Sequence, residues 1–143
     1  MNQRSSSDLE RFVAAQNGCY QAVIKELFVG RKQTHWMWYI FPQIQGLGVT
    51  STSKFYAINS LSEADAYLRH PVLGHRLEEC LGLVMKHRNQ NIKDIFGHPD
   101  DLKFQSSITL FSLTNLRTEV FKQALQIFFL GQPDKRTIDI LHL

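Results

Sequence analysis

The chain has 143 residues, of which 43% are hydrophobic and 20% charged, close to the averages for globular proteins and far from those of disordered chains. The net charge of +3 is small and the Lys and Arg residues are dispersed, so charge alone does not indicate a nucleic-acid partner. No apolar run resembles a signal peptide or approaches the roughly 18 residues of a membrane span, so we expect a cytoplasmic protein without a membrane partner.

The first predicted element is a long helix over residues 8–29. Ser7 and Glu10 match the capping box that begins many helices, and Gly30 suits the left-handed residue that ends one. Apolar residues recur at spacings of three and four, which predicts one buried face. Gln16 lies on that face.

An aromatic segment, RKQTHWMWYIFP, follows at residues 31–42. Thr34 is suited to cap a two-turn helix that Pro42 ends. The next residues, 43–53, include two glycines and several Ser and Thr residues. We predict that they form the longest loop, because these residue types favour turns.

The rest of the chain is predicted to hold a series of helices. Ser60 and Glu63 form a second capping box, which predicts a helix over 61–69. Pro71 suits the first turn of an amphipathic helix that ends near Asn89. Glycine, proline and aspartate residues delimit further segments, which are 92–96, a helix opened by Pro99 and Asp100, 118–130, and a terminal turn capped by Asp134.

These patterns predict an all-α fold class. No segment alternates polar and apolar residues with a period of two, and no internal repeat is evident. We expect a flexible N-terminus at residues 1–7 and, over 8–143, a single compact domain of about six to eight helices.

The reactive residues match no motif of known mechanism. Cys19 and Cys80 are expected to be reduced core residues, because two thiols without an export signal rarely pair. The six histidines lack metal-site spacings, so we expect no metal. Gly46 and Gly48 lack the remainder of a dinucleotide or phosphate-binding motif, and no nucleophile elbow occurs, so no cofactor is expected.

The aromatic segment is the strongest candidate for a functional site. Clustered aromatic side chains most often build a core. Residues two apart on a helix point about 200° apart, however, so these rings cannot all face inward from one short helix, and some ring must meet a neighbouring element or a ligand. The functional alternative is a pocket walled by some of the rings, with Lys32, His35 and Gln43 as its polar groups.

Two other positions place polar groups where a pocket could use them. Gln16 on an apolar stripe is costly to bury unless its amide is hydrogen-bonded, so it is either an internal link or part of a pocket. Asp100, Lys103 and Ser107 share one helical face and could position a phosphate or carboxylate. The simpler interpretation is a helix cap beside a solvated lysine.

The sequence resembles a bacterial family of domains of unknown function, number 1810, whose members are sometimes labelled calpastatin. The matching motifs are GRKQTHWMWYIFPQ at 30–43, SEADAYLRHPVLG at 62–74, DIFG at 94–97, PD at 99–100 and KFQSSITLF at 103–111. The resemblance implies a compact, helical-repeat-like α fold and names no activity. It also implies one shared feature that links Gln16, Tyr20, His35, Trp36, Trp38, Pro42, Gln43, Asp100, Lys103, Ser107 and Thr109.

The leading functional hypothesis is a pocket for a small anionic or nucleotide-like ligand, formed by residues 32–43, Gln16 and the helix over 100–109. His35 is the candidate catalytic acid or base, and the sequence leaves open whether the protein is an enzyme. The candidate ligand-binding residues are Gln16, Tyr20, Lys32, His35, Trp36, Trp38, Gln43, Asp100, Lys103 and Ser107.

Two alternatives belong to other functional classes. One is a non-catalytic interaction module whose exposed aromatic residues bind a protein or form a homodimer. The other, which is the least favoured, is nucleic-acid binding through Arg31, Lys32 and stacking tryptophans.

Overall fold

A computed structural model describes residues 8–142 of the chain. Those residues form ten helices, seven of them at least seven residues long, and no strand; a single parallel bridge joins Ile44 and Ile58. None of the ten is long and apolar enough to cross a membrane. The predicted all-α class is confirmed, whereas the predicted number of helices, about six to eight, is too low. In chain order the helices are α1 Glu10–Asn17, α2 Tyr20–Val29, α3 Met37–Ile40, α4 Ser51–Phe55, α5 Leu61–Arg69, α6 Leu73–Met85, α7 Ile92–Phe96, α8 Asp100–Ser112, α9 Glu119–Phe129 and α10 Lys135–Leu141.

The predicted long first helix is two helices, α1 and α2, separated at Gly18 and Cys19. Glycine is a weak helix former, and the N–H of Cys19 turns back to the carbonyl of Gln16 at 3.0 Å, which closes a tight turn. Gly30 ends α2 in the left-handed region, at a φ of 88°, as predicted. Ser7 of the predicted capping box lies outside the described residues.

The aromatic segment forms one helical turn, α3, and not the two-turn helix that the sequence predicts from Thr34. The backbone N–H and the hydroxyl of Thr34 both donate to the carboxylate of Glu26, at 3.1 and 2.6 Å. Because Thr34 is held by α2, the helix begins only at Met37. It ends at Ile40, before Pro42, as expected.

The predicted loop over 43–53 runs into the short helix α4, whose first turn is capped by the hydroxyl of Thr50. Two backbone hydrogen bonds of 2.8 Å close the base of this loop. The N–H of Ile58 donates to the carbonyl of Gln43, and the N–H of Gln45 donates to the carbonyl of Ile58. The loop is therefore anchored at its base, while no residue of α4 is buried.

The later helices follow their predicted caps, with one shifted start. Ser60 and Asp134 accept backbone N–H groups in the first turns of α5 and α10. Helix α6 begins at Leu73 and not at Pro71. The ring of His70 accepts the backbone N–H of Leu73 at 3.2 Å, so a side chain before Pro71 satisfies a donor of the first turn.

Helix α8 lies at the centre of the fold, where it packs against α3, α5, α7, α9 and α10. Its residues 106–112 are all buried, and Phe104 stacks on Phe96 with 4.8 Å between ring centroids. Burial on every face is typical of a central helix. The first turn differs, because Leu102 is half exposed and Lys103 is partly exposed. This turn carries α8 to the surface beside α3.

Candidate functional site

The two tryptophans have opposite environments although one residue separates them. Trp36 is 1% exposed, and its ring packs against Phe41 and Phe96, with 6.4 Å between centroids in each pair. Its indole N–H donates to Glu26 at 2.9 Å. Trp38 is half-buried and lines a cavity. Trp36 is therefore a satisfied core residue that is unavailable for stacking, and Trp38 is the tryptophan that a ligand can reach.

Glu26 anchors the segment, although no sequence pattern predicted it as a site residue. Its carboxylate accepts hydrogen bonds from the N–H groups of Gln33 at 2.8 Å and Thr34 at 3.1 Å, from the Thr34 hydroxyl and from the Trp36 indole. Burial alone raises the pKa of Glu26, but the hydrogen bonds outweigh burial and hold its pKa below the ordinary value. One signal was available: a glutamate in the last turn of a helix is disfavoured by the helix dipole.

Trp38 lies between two adjoining cavities, which together we call the Trp38 cleft. Both cavities are lined by Trp38, Gln43, Gly48 and Ser53. The first, of about 330 Å³, extends to Ile44, Gln45, Gly46, Lys54, Tyr56 and Ala57, and we call it the loop lobe. The second, of about 420 Å³, extends to Leu102, Lys103, Ser106, Asp134 and Arg136, and we call it the basic lobe. Each lobe falls within the size range of small-molecule sites.

Gly48 brings the loop close to α4 at the boundary of the two lobes. A Cβ built on Gly48 would lie 2.3 Å from the hydroxyl oxygen of Ser53, so no side chain fits there without a shift. Opposite, the amide nitrogen of Gln43 donates to the hydroxyl of Ser106 at 2.6 Å. Ser106 in turn donates to the carbonyl of Lys103 at 3.1 Å. The cleft thus has a polar wall fixed by internal hydrogen bonds.

The basic lobe carries two cations. The ammonium of Lys103 lies 5.6 Å from the centroid of the Trp38 ring and 3.5 Å from a carboxylate oxygen of Asp100. The guanidinium of Arg136 is exposed and contacts the carbonyl of Leu47 at 3.5 Å. Asp134 is the acidic residue in this wall.

The carboxylate of Asp134 is already committed to the first turn of α10. It accepts the backbone N–H of Thr137 at 3.0 Å and the hydroxyl of Thr137 at 2.6 Å. A helix cap of this kind binds the carboxylate to donors at the helix N-terminus. The lobe therefore offers more cationic than anionic side chains to a ligand.

Gln16 of α1 and Tyr20 of α2 are hydrogen-bonded to other helices and not to the cleft. The Gln16 amide nitrogen donates to the carbonyl of Tyr39 at 2.7 Å and to the hydroxyl of Tyr67 at 3.1 Å, and its oxygen accepts from Arg76 at 3.3 Å. Both ends of the Gln16 amide are therefore satisfied internally. The hydroxyl of Tyr20 donates to Glu79 at 2.5 Å, and burial raises the pKa of Tyr20.

His35, Ser107 and Thr109 lie in three different settings. His35 is exposed, and only its backbone carbonyl has a partner among the described residues, the hydroxyl of Tyr39 at 3.4 Å. Ser107 is fully buried, and its hydroxyl has no hydrogen-bond partner among those residues. The hydroxyl of Thr109 accepts the backbone N–H of Asp134 at 2.9 Å, so it supports the wall that carries Arg136.

The two cysteines, Cys19 and Cys80, are free thiols. Cys80 is buried and Cys19 is half-buried. Burial raises the pKa of the Cys80 thiol to about 12. Cys80 is therefore protonated at neutral pH and a poor nucleophile. Within residues 8–142, no group of three or more His, Cys, Asp or Glu side chains is arranged to hold a metal ion.

Of the predicted site residues, the structure brings a subset together at the cleft. Trp38, Gln43 and Lys103 line it. Asp100 forms an ion pair with Lys103, and Lys32 forms one with Asp100. Seven predicted residues do not line the cleft, namely Gln16, Tyr20, Lys32, His35, Trp36, Asp100 and Ser107. Three further residues line the cleft that were not predicted from the sequence, namely Ser53, Ser106 and Arg136. Ser106 lies inside the KFQSSITLF motif at residues 103–111, whereas no sequence motif includes Arg136.

Comparisons with known proteins agree with this fold. The family described as "Protein of unknown function (DUF1810)" matches residues 6–141. The crystal structure of the conserved hypothetical protein Rv1873 from Mycobacterium tuberculosis, at 1.38 Å, is similar to this chain with a TM-score of 0.94 and 46% sequence identity. The similarity covers 97% of this chain and 99% of that one. No curated protein matches the chain.

Proposed function

This chain belongs to the DUF1810 family of proteins of unknown function, and we propose that it binds a small anion with a planar ring in the Trp38 cleft. The observation that carries the proposal is the pairing of Trp38 with Lys103. An ammonium lies 5.6 Å from the centroid of a half-buried indole ring, beside a cavity. Aromatic faces and cations together recognise ligands that combine a ring with negative charge.

The two lobes suggest which part of such a ligand each of them would bind. The cations Lys103 and Arg136 of the basic lobe would hold a carboxylate or phosphate group. The loop lobe offers Ile44, Tyr56 and Ala57 beside the polar Gln45. It suits an uncharged planar portion, which would contact the indole of Trp38 at the boundary.

This proposal narrows the site predicted from the sequence. Trp38, Gln43 and Lys103 stay in the role of cleft residues. Gln16 and Trp36 instead support the backbone on which Trp38 sits, because their polar atoms are bound internally. The proposal is one of binding and assigns no catalytic role to His35, since His35 is exposed and does not line the cleft.

The test is a titration with inorganic phosphate, benzoate, AMP and the uncharged adenosine, followed by thermal unfolding and tryptophan fluorescence. We expect benzoate and AMP to raise the Tm and to bind more tightly than phosphate or adenosine. Lys103→Ala and Arg136→Ala should each weaken binding by about 10- to 100-fold, because a hydrogen bond to a charged group contributes roughly 1.5–3 kcal/mol. Trp38→Phe should abolish the fluorescence response.

The chain offers matched controls. Lys122 is exposed and is the fourth residue of α9, as Lys103 is of α8, and the exposed Lys135 precedes Arg136 on α10. Lys122→Ala and Lys135→Ala should bind as the wild type does. Binding that is equally tight in Lys103→Ala and Lys122→Ala would contradict the proposal.

A further inference from the structure

A chain of three charges leads from the interior of the protein to the basic lobe. The ammonium of Lys32 lies 2.8 Å from one oxygen of Asp100, and the ammonium of Lys103 lies 3.5 Å from the other. Side-chain exposure rises along the chain, from 6% at Lys32 through 20% at Asp100 to 31% at Lys103. Lys32 itself lines a separate depression, together with Arg31 and Lys93.

One carboxylate therefore serves two ammonium groups. Coulomb attraction is stronger at the shorter distance and in the drier surroundings, so Asp100 is paired chiefly with Lys32. The looser contact leaves Lys103 with positive charge to offer to the cleft. If Lys32 were uncharged, Asp100 would turn to Lys103, and the net charge of the group would fall from +1 to zero.

We infer that Lys32, from outside the cleft, makes the basic lobe selective for anions by neutralising Asp100 and so keeping the charge of Lys103 available. This inference rests on the proposed function and deepens it: the bound group is a carboxylate or phosphate at Lys103. Lys32 is a positioning residue, because it touches Asp100 and not the ligand. Asp100 holds Lys103 beside Trp38, and Arg136 supplies the second cation of the lobe.

The local charge at Trp38 is measurable without knowing the ligand. Iodide, an anion, and acrylamide, a neutral molecule, both quench exposed tryptophan, so the ratio of their quenching constants reports the charge beside the ring. At constant ionic strength near 0.1 M, charges beyond about 10 Å are screened. Trp36 is 1% exposed and contributes little quenching, which a Trp38→Phe background verifies.

Four variants separate electrostatics from structural damage. Lys32→Met should lower the iodide-to-acrylamide ratio by roughly twofold, and Asp100→Asn should raise it by a similar factor. The double variant Lys32→Met/Asp100→Asn should restore the wild-type ratio, since Lys103 then stands alone with a charge of +1. Lys122→Met makes the same change in total charge as Lys32→Met, outside the cleft, and should leave the ratio unchanged.

The same variants are then titrated with AMP and adenosine. Lys32→Met should weaken AMP binding about tenfold with little effect on adenosine, and the double variant should recover AMP binding. The inference would be overturned by equal quenching ratios in all variants, or by a quenching ratio in the double variant that is as low as that of Lys32→Met. If Lys32→Met fails to fold, the iodide-to-acrylamide ratio of Asp100→Asn is the test, and a ratio equal to that of the wild type would overturn the inference. Failure of benzoate and AMP to bind the wild type, with the quenching pattern intact, would overturn the proposed function and leave the charge assignment standing.

Discussion

At the scale of single residues, Glu26 determines how the aromatic segment leaves α2. Its carboxylate receives two backbone N–H groups, one hydroxyl and one indole N–H. Those donors belong to Gln33, Thr34 and Trp36, the residues that precede α3. The backbone that carries Trp38 is therefore fixed just before it, at Trp36.

The lowered pKa of Glu26 makes the stability depend on pH. Its folded-state pKa lies below the ordinary 4.5, so its contribution is fully present above 4.5 and is lost as the pH falls through the folded value. We expect Glu26→Gln to lose about 1–3 kcal/mol at pH 7, the cost of weakened hydrogen bonds to a charged group. Urea unfolding at pH 7 should show this difference, which should vanish in acid. A difference that persists at low pH would contradict it.

At the scale of elements, Arg11 ties α1 both to the C-terminal end of α4, beside the cleft, and to α5. The guanidinium of Arg11 donates to the carbonyls of Phe55 at 2.9 Å and Ala57 at 3.0 Å, and it pairs with Glu63 at 3.3 Å. Glu63 is fully buried and also accepts the N–H of Asn59 at 2.8 Å. Helix α4 has no buried residues, so these contacts, at and just beyond its C-terminus, help to hold it.

Breaking this pair should be costly. Arg11→Met leaves the carboxylate of Glu63 buried without its cation, and we expect a loss of about 3–5 kcal/mol in the free energy of unfolding. Arg11→Met/Glu63→Met should recover a large part of that loss, because no uncompensated charge remains. A double-mutant cycle from urea denaturation measures the coupling. Additive losses would show that the pair acts through packing alone.

At the scale of the whole molecule, α8 connects most of the fold. Five other helices pack on it, and its residues 106–112 are all buried. Removal of any neighbouring helix would expose part of α8. That residues 8–143 form one domain stays a prediction from the sequence, which unfolding experiments can test.

One cooperative unfolding transition is the consequence. Circular dichroism at 222 nm reports all the helices, while tryptophan emission reports the surroundings of α3. The two urea transitions should coincide in midpoint and slope, as expected for a two-state domain of this size. Well-separated midpoints would show that the α1–α3 region unfolds independently of α8.

The sequence by itself determined the helical class and several of the helix ends from α5 onward. The caps at Ser60 and Asp134 and the stop at Gly97 are local signals, because each involves a bond to a backbone group only three or four residues away. The sequence also located the aromatic segment and indicated that its rings cannot all face inward, since helical geometry separates residues two apart.

Only the tertiary structure decided which tryptophan is buried, where α3 begins and which side chains meet at the cleft. Thr34 caps no helix, because Glu26 of α2 holds its backbone N–H and its hydroxyl and the next helix begins only at Met37. Arg136 reaches the basic lobe from α10, at the other end of the chain. Sequence patterns act over a few residues, whereas burial and pairing are set by whichever distant segments pack alongside, and no local period encodes those neighbours.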